Sequence, residues 1–532
     1  MTAVEPRTAT DEPEAGTTTG RIRGRHEGGL AVFRGIPFAE PPVGPDRFMA
    51  PRPARTWDGV REAFAFGPPP PQEIPVPETF AFGPPPPHES HGSGDAAPTD
   101  DRTDGDWLTV NVWTPGVDPA AARPVIVWIY GGAYKVGSSD EPYYDAHRIA
   151  GDGDVVTVTF NHRVGIEGFA QIDGAPANRG VLDQIAALEW VRDNIAAFGG
   201  DPAQVTVVGE SAGAGAVACL LTAPAARGLF HRAIVQSLPG TFFSPELAED
   251  VTAAIAAEMG LRPTVADLSG VAPRVLPAAG AAVSRALRSH QDRWGAVALT
   301  PTPFSPVVDG DVLPVTPWRA LADGAARDVD LIVGHTRDEY RLFVATSELV
   351  GQIDDARAAE ALRVFGPGPD PERAYREAFP DASPERLFEL VQSDWLMRMP
   401  SLHLAEAQVR GGGRAHMYEV TWSAPGNGGA LGACHGLDVL LLFGVYDTDL
   451  GRLFLGPDGV PEAERLSAHV RRAWTDFAAT GDPGWPAYDT EQRLTRLLDT
   501  EPRTSAYPEE ASRRLWRDHV FAPLPLVRDR DR

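Results

Sequence analysis

The chain has 532 residues, 43% of them hydrophobic and 23% charged, which is the composition of a soluble globular protein long enough to bury a large core. Its 48 basic residues are set against 73 acidic ones, and the formal net charge of −25 argues against nucleic acid, whose phosphates need a basic face. Two cysteines, Cys219 and Cys434, argue against a disulfide-stapled scaffold, and no apolar run approaches the roughly 20 residues that span a bilayer.

Residues 1–19 are polar and acidic, without the apolar stretch of a signal peptide, and read as the disordered tail of a cytoplasmic protein. Gly20–Phe33 predicts a hairpin with Gly28-Gly29 near its turn. Residues 64–103 are an irregular insertion in which FAFGPPPP occurs twice, at 64–71 and 80–87. Four consecutive prolines exclude helix and favour extended polyproline geometry. The segment reads as a tandem duplication in a surface loop, either a tolerated insertion or a lid beside a functional site.

After Asp104 the signals alternate. Strands are predicted at Leu108–Trp113, Val125–Tyr130, Val155–Phe160, Val205–Val208, Ala233–Gln236, Leu331–Val333 and His416–Thr421. Helices are predicted at Val181–Phe198, Ala212–Leu221 and Ala463–Thr480. Apolar strands interleaved with helices predict an α/β fold with a large, mostly parallel, doubly wound sheet and helices on both faces. Residues 244–300 and 345–410 carry helical patterns and read as excursions over that sheet. No linker divides the chain, so 20–525 reads as one domain and 526–532 as a C-terminal tail.

The segment VTVVGESAGAGAVACLL (205–221) is strand, sharp turn and helix, with Ser211 at the apex. Gly209-Glu210-Ser211-Ala212-Gly213 fits G-x-S-x-G, a turn in which the serine backbone is strained and small neighbours let strand and helix approach. The helix N-terminus behind it favours negative charge. The same residues contain Gly213-Ala214-Gly215-Ala216-Val217-Ala218, a match to the dinucleotide pattern G-x-G-x-x-A. That pattern needs an acidic residue about 20 positions on, and none occurs from Ser211 to Pro245. Its glycines also begin inside the helix, so the nucleotide reading is set aside.

A serine nucleophile needs a base and an orienting acid, in the chain order Ser, Asp/Glu, His for this architecture. Of the later histidines, His403 and His469 lie in helical patterns, His416 starts a strand, and His519 lies in the C-terminal segment. His435 alone occupies a Gly-rich loop after a strand, in SAPGNGGALGACHG. Asp338 and Glu339 both follow the strand Leu331–Val333, and spacing does not choose between them. Gly131-Gly132-Ala133, after the strand Val125–Tyr130, offers backbone N–H donors for an oxyanion.

With these residues in view the chain resembles the type B carboxylesterases, the family that includes the cholinesterases. The resemblance runs from about Gly20 to the C-terminal region, through FRGIPFAEPPVGPDRFMAPRP (33–53), NVWTP (111–115), NRGVLDQIAALEWVRDNIAAFGGDPAQVTVVGESAGA (178–214), GLFHRAIVQS (228–237) and WTDFAATGDPGWPAYD (474–489). It implies an α/β-hydrolase fold, with Ser211 as nucleophile, Glu339 rather than Asp338 as the acid and His435 as the base. It also implies the N–H groups of Gly132, Ala133 and Ala212 as oxyanion donors, with Ser237 and Glu210 close behind the triad. Two departures stand out. Tyr130 replaces the family's usual His before the Gly-Gly pair. Asp104-Gly105-Asp106-Trp107-Leu108 replaces a Ser-Glu-Asp-Cys-Leu pattern, removing a disulfide cysteine and the expected carboxylate partner of Arg163, for which Asp106 is the first substitute.

The resulting expectation is a serine carboxylesterase acting on a small-molecule ester and water through an acyl-enzyme, with no metal or organic cofactor and no nucleic-acid or membrane partner. The alternatives are acyl transfer or cleavage of a natural-product or xenobiotic ester, carbamate or amide on the same site, or a non-catalytic binding protein on the same fold. Phe242, Phe243, Trp395 and Trp422 are candidates to line a pocket, with core packing as the competing role of each.

Overall fold

The computed structural model describes residues 12–72, 105–347 and 349–527. Among these, the strands in chain order are β1 (Glu14–Gly16), β2 (Arg21–Arg23), β3 (Arg25–Glu27), β4 (Leu30–Pro37), β5 (Val60–Glu62), β6 (Thr109–Thr114) and β7 (Arg123–Ile129). They continue with β8 (Val156–Phe160), β9 (Gly200–Glu210), β10 (Arg232–Gln236), β11 (Asp330–Thr336), β12 (Ala415–Val420), β13 (Leu494–Leu498) and β14 (Arg503–Ala506). Eleven of them form one mixed sheet in the order β14-β13-β12-β11-β10-β9-β7-β8-β6-β4-β3, and β1, β2 and β5 form a small separate sheet. The run from β8 through β7, β9, β10, β11 and β12 to β13 is parallel, and the strands beyond it at both edges are antiparallel.

The parallel strands are apolar on both sides because both sides are covered. Val125, Val127, Val205, Val207, Val235 and Val333 point into one core with the helices Arg179–Asn194 and Ala212–Thr222. Their neighbours Ile126, Trp128, Val208, Ile234 and Ile332 point into a second core with the helices Leu437–Phe443 and Val460–Thr480. Strand period two thus feeds two cores, and it brings the C-terminal ends of β7, β9, β10 and β11 side by side. Register pairs Ile129 with Gly209, Gln236 with Glu210, and Gln236 with Gly334.

The predicted hairpin is β3–β4, closed by Gly28 and Gly29, both at positive φ. The excursions are helical: Pro245–Ala257 and Leu276–Arg285 in the first, and Asp355–Phe365 through Met399–Arg410 in the second. Two expectations are corrected. Residues 12–19, placed in a disordered tail by their polarity, contain β1, whose Glu14 binds Arg21 at 2.5 Å and Arg23 at 2.8 Å across the β1–β2 pair. Ala15 and Ile22, opposite each other in that pair, are buried in the main core, so one apolar residue on each strand anchors it. In the C-terminal tail, the Val527 N–H donates to the Arg293 carbonyl.

The second correction concerns Arg163. It is fully buried and binds Asp183, not Asp106, which is exposed. Asp183 Oδ1 accepts from Nη2 at 2.7 Å and Oδ2 from Nε at 2.8 Å, while Nη1 reaches the Met49 carbonyl. Helix Arg179–Asn194 carries this carboxylate into the core, so the missing glutamate at Gly105 leaves no buried charge alone. The insertion expected at 64–103 is described only to residue 72, and the lid assignment lies otherwise outside the described residues. Its first part is packed: the Arg25 guanidinium sits over the Phe64 ring and that of Arg34 over Phe66. No helix among the described residues is long and apolar enough to cross a membrane.

Removing one partner of a buried ion pair strands the other, at about 3–5 kcal/mol. Asp183→Ala is therefore expected to lower unfolding stability in urea by about that amount, whereas the double variant Arg163→Met/Asp183→Leu retains most of it. A single variant as stable as the parent would contradict this account.

Candidate active site

Ser211 follows β9 directly and sits at φ 57°, ψ −125°, in a region that L-residues avoid. Its N–H donates to the Gln236 carbonyl at 2.9 Å, and the helix Ala212–Thr222 begins at the next residue. The turn closes only because its neighbours lack side chains. A Cβ on Gly209 would lie 2.3 Å from the Gly213 carbonyl oxygen, and one on Gly213 would lie 2.1 Å from that of Ile129.

The loop after β12 brings His435 to this apex. His435 Nε2 lies 2.9 Å from Ser211 Oγ, and Nδ1 lies 2.6 Å from Glu339 Oε2. Glu339 is fully buried, and its other oxygen accepts from Ser237 Oγ at 2.6 Å and the Thr336 N–H at 2.8 Å. Ser237 repeats the geometry of Ser211 one strand over, at φ 58° after β10, with its N–H donated to Gly334. Asp338 points elsewhere. It faces Arg337, Arg341 and Arg386 at 3.0–3.3 Å, and its Oδ2 accepts the Ala433 N–H while its own N–H donates to the Ala433 carbonyl. Asp338 thus holds the His435 loop and Glu339 holds the imidazole, a division that one-residue spacing did not reveal.

Burial alone would lower the His435 pKa, but the facing carboxylates of Glu210 and Glu339, with the Glu339 hydrogen bond, lift it to about 9. Burial likewise pushes the Glu339 carboxyl up, but the His435 charge and the bonds from His435, Ser237 and Thr336 hold it below the usual value. Glu210 Oε1 lies 3.1 Å from His435 Nε2, and its carboxyl is raised, chiefly by burial. A further buried carboxylate, Asp438, accepts from the Tyr418 hydroxyl at 2.7 Å and is also raised by burial.

The loop after β7 lies against the apex: a Cβ on Gly131 would be 3.0 Å from Ser211 Cβ. Gly132, Ala133 and Tyr134 all have positive φ, which turns successive peptide planes of this loop. Among the described residues, no hydrogen bond engages the N–H of Gly132, Ala133 or Ala212. Tyr130 takes no part in the apex. Its ring stacks on His162 and its hydroxyl donates to the His162 carbonyl at 3.1 Å.

The four candidate pocket aromatics lie in the interior. Phe242 packs edge-on to Trp318, Trp395 lies against Phe365, Trp422 donates to Glu462, and Phe243 is bound through its backbone to Pro306 and Val308. The ring beside the imidazole is Phe343, with centroids 5.4 Å apart. Phe343 lies in the short helix Arg341–Ala345 that follows Glu339. Among the described residues no group of three or more His, Cys, Asp or Glu side chains is arranged to hold a metal ion.

A family model described as the carboxylesterase family matches residues 11–516. The para-nitrobenzyl esterase of Bacillus subtilis (strain 168) is 35% identical over 510 residues, covering 93% of this chain and 97% of its own. The phenmedipham hydrolase of Pseudarthrobacter oxydans is 35% identical over 520 residues, covering 94% and 98%. The crystal structure of a Geobacillus stearothermophilus carboxylesterase at pH 6.2 superposes with a TM-score of 0.79 at 34% identity, covering 94% of this chain and 99% of that one.

The electrostatics are open to direct measurement. Glu210→Gln removes an anion that favours the imidazolium, so the His435 titration, followed by its ring Cε1–H in NMR, is expected to move from about 9 toward the ordinary histidine value. An unmoved midpoint would show that Glu210 does not act on the ring.

Proposed function

The chain belongs to the carboxylesterase family, has the α/β-hydrolase fold and is a carboxylic-ester hydrolase, and from that premise we propose that it works through a Ser211–His435–Glu339 triad and an acyl-enzyme. The observation that carries this reading is the continuous chain of contacts from Ser211 Oγ to His435 at 2.9 Å and on to Glu339 at 2.6 Å. Ser211 Oγ attacks the ester carbonyl carbon as its proton passes to His435 Nε2. The carbonyl oxygen becomes an oxyanion and accepts from the N–H groups of Gly132, Ala133 and Ala212. Collapse breaks the bond to the alcohol oxygen, which leaves with the proton from Nε2. Water then adds to the acyl-enzyme with His435 again as base, releasing the acid and restoring Ser211. Glu339 fixes the imidazole tautomer and stabilises the imidazolium, and Ser237 orients Glu339.

The substrate is a small-molecule ester. The relative named for para-nitrobenzyl esters makes these the first substrates to offer. A second reading, cleavage of phenmedipham on the same site, is favoured by the equally similar relative of that name, and turnover of phenmedipham by the purified protein decides it. Acyl transfer would appear as ester product when an alcohol acceptor is supplied. We also infer a cytoplasmic location, supported by two buried cysteines that remain free thiols.

Ser211→Ala is expected to lower kcat by about 10⁴–10⁶ with the fold intact. An organophosphonate is expected to label Ser211, and labelling elsewhere with Ser211 unmodified would defeat the assignment. Glu339→Gln should lower kcat by about 10³–10⁴, and Asp338→Asn far less, with its main effect on thermal stability. Equal losses, or a larger loss at Asp338, would reverse the roles of the two carboxylates.

A further inference from the structure

The first FAFGPPPP copy is followed by Gln72, and this side chain reaches the loop that carries the proposed oxyanion donors. Gln72 Oε1 accepts from the Gly137 N–H at 2.8 Å, and its Nε2 donates to the Gly137 carbonyl at 3.0 Å. A primary carboxamide pairs in this way with both backbone groups of one residue, as a neighbouring strand would. The stem behind it is fixed as well. Buried Asn161 donates to the Pro68 carbonyl at 3.1 Å, and its Oδ1 accepts from the Ser139 N–H at 2.7 Å. After the second FAFGPPPP copy, at 80–87, the corresponding residue is His88, which has no carboxamide.

Gly137 is where the donor loop closes on its own start. It has φ 128°, and a Cβ there would lie 2.8 Å from the Gly131 carbonyl oxygen and 2.5 Å from the Tyr130 ring. Within the loop the Lys135 and Val136 N–H groups both donate to the Gly132 carbonyl at 3.1 Å. On the other side Thr302 Oγ1 donates to the Ala133 carbonyl at 2.8 Å, and the Gly165 N–H to that of Tyr134 at 2.7 Å. The carbonyls of Gly132, Ala133, Tyr134 and Gly137 are thus engaged from outside or within the loop, while among the described residues no hydrogen bond engages the Gly132 and Ala133 N–H groups.

We propose that Gln72 is a positioning residue for ester hydrolysis: its carboxamide clamps Gly137 and thereby sets the aim of the Gly132 and Ala133 N–H groups. This rests on the assignment of those groups as oxyanion donors. The clamp acts on the transition state, in which the oxyanion exists, and little on ground-state binding.

Two variants and three readouts test it. Gln72→Ala removes both bonds. Gln72→Glu keeps an acceptor for the Gly137 N–H and loses the donor to its carbonyl. Loss of a whole oxyanion donor costs about 10²–10³ in kcat, and a misaimed donor costs less, so Gln72→Ala is expected to lower kcat on p-nitrophenyl acetate about tenfold, with KM within about twofold. Gln72→Glu should fall between it and the parent, and the affinity for a trifluoromethyl ketone, which forms a hemiketal oxyanion on Ser211, should weaken by the same factors. Unchanged kcat and inhibitor affinity, even with a lower thermal midpoint, would make Gln72 a mere strut; if Gln72→Ala does not fold, Gln72→Glu carries the comparison. Amide NMR of glycine- and alanine-labelled protein separates the two levels. In the parent, the Ala133 N–H proton should move downfield on hemiketal formation. No movement in the parent overturns the donor assignment and the clamp with it. Movement in the parent that persists in full in the variants overturns the clamp alone.

Discussion

Ser211 is held at φ 57°, and the rest of the site depends on that one backbone conformation. A non-glycine residue there costs about 1–3 kcal/mol, so the surroundings must over-determine it. The sheet does so through a relay of strand ends. The Ser211 N–H bonds the last residue of β10, and the Ser237 N–H bonds Gly334 within β11. Three residues after β11 comes Glu339, whose carboxylate accepts from the Thr336 N–H and from Ser237. Each parallel strand therefore positions the group carried by its neighbour. Gly209 and Gly213 pack strand and helix so closely that the serine has no other place to go.

Electrostatics add a second constraint. Buried carboxylates at Glu210, Glu339 and Asp438 all act on one imidazole, whereas Asp338, one residue from Glu339, is neutralised by three arginines. The arginines let Asp338 serve the loop without adding another anion to the site. Glu210 and His435 face each other with both proton affinities raised. The charge on Glu210 therefore favours the imidazolium form of His435.

The Ser211 turn and the central strands were legible because both are local. A strained serine needs small residues on either side, and strands buried on two faces need continuous apolar runs. What escaped the sequence was set by distance along the chain. Asp338 and Glu339 differ only in what meets them from Arg386, Ser237 and His435. The partner of Arg163 is on a helix 20 residues later, not in the motif where a carboxylate was missing. β14, the strand at the sheet's edge, has the polar sequence Arg503–Ala506 and no buried residue, and β13 beside it has Arg496 between its leucines. β1 buries the single residue Ala15 between polar neighbours, opposite Ile22 of β2, and so short an apolar signal read as tail. Phe242, Phe243, Trp395 and Trp422 fill the interior, and composition does not separate such rings from Phe343, which stands beside His435.

Where the chain departs from the family pattern, the structure compensates by backbone capture. Tyr130 stands in the position usual for His, and its hydroxyl accepts the His162 N–H and donates to the His162 carbonyl, tying β7 to the segment that carries Arg163. The disulfide cysteine of the 104–108 motif is absent, and the preceding stem is fixed by Asn161 and Gln72 hydrogen bonds to backbone at Pro68 and Gly137. A disulfide constrains the ends of a loop wherever its middle goes, while side-chain amides constrain only the peptide groups they touch. The tie in this chain therefore falls on the loop after β7 itself, at Gly137, six residues after the Gly131 that packs against Ser211.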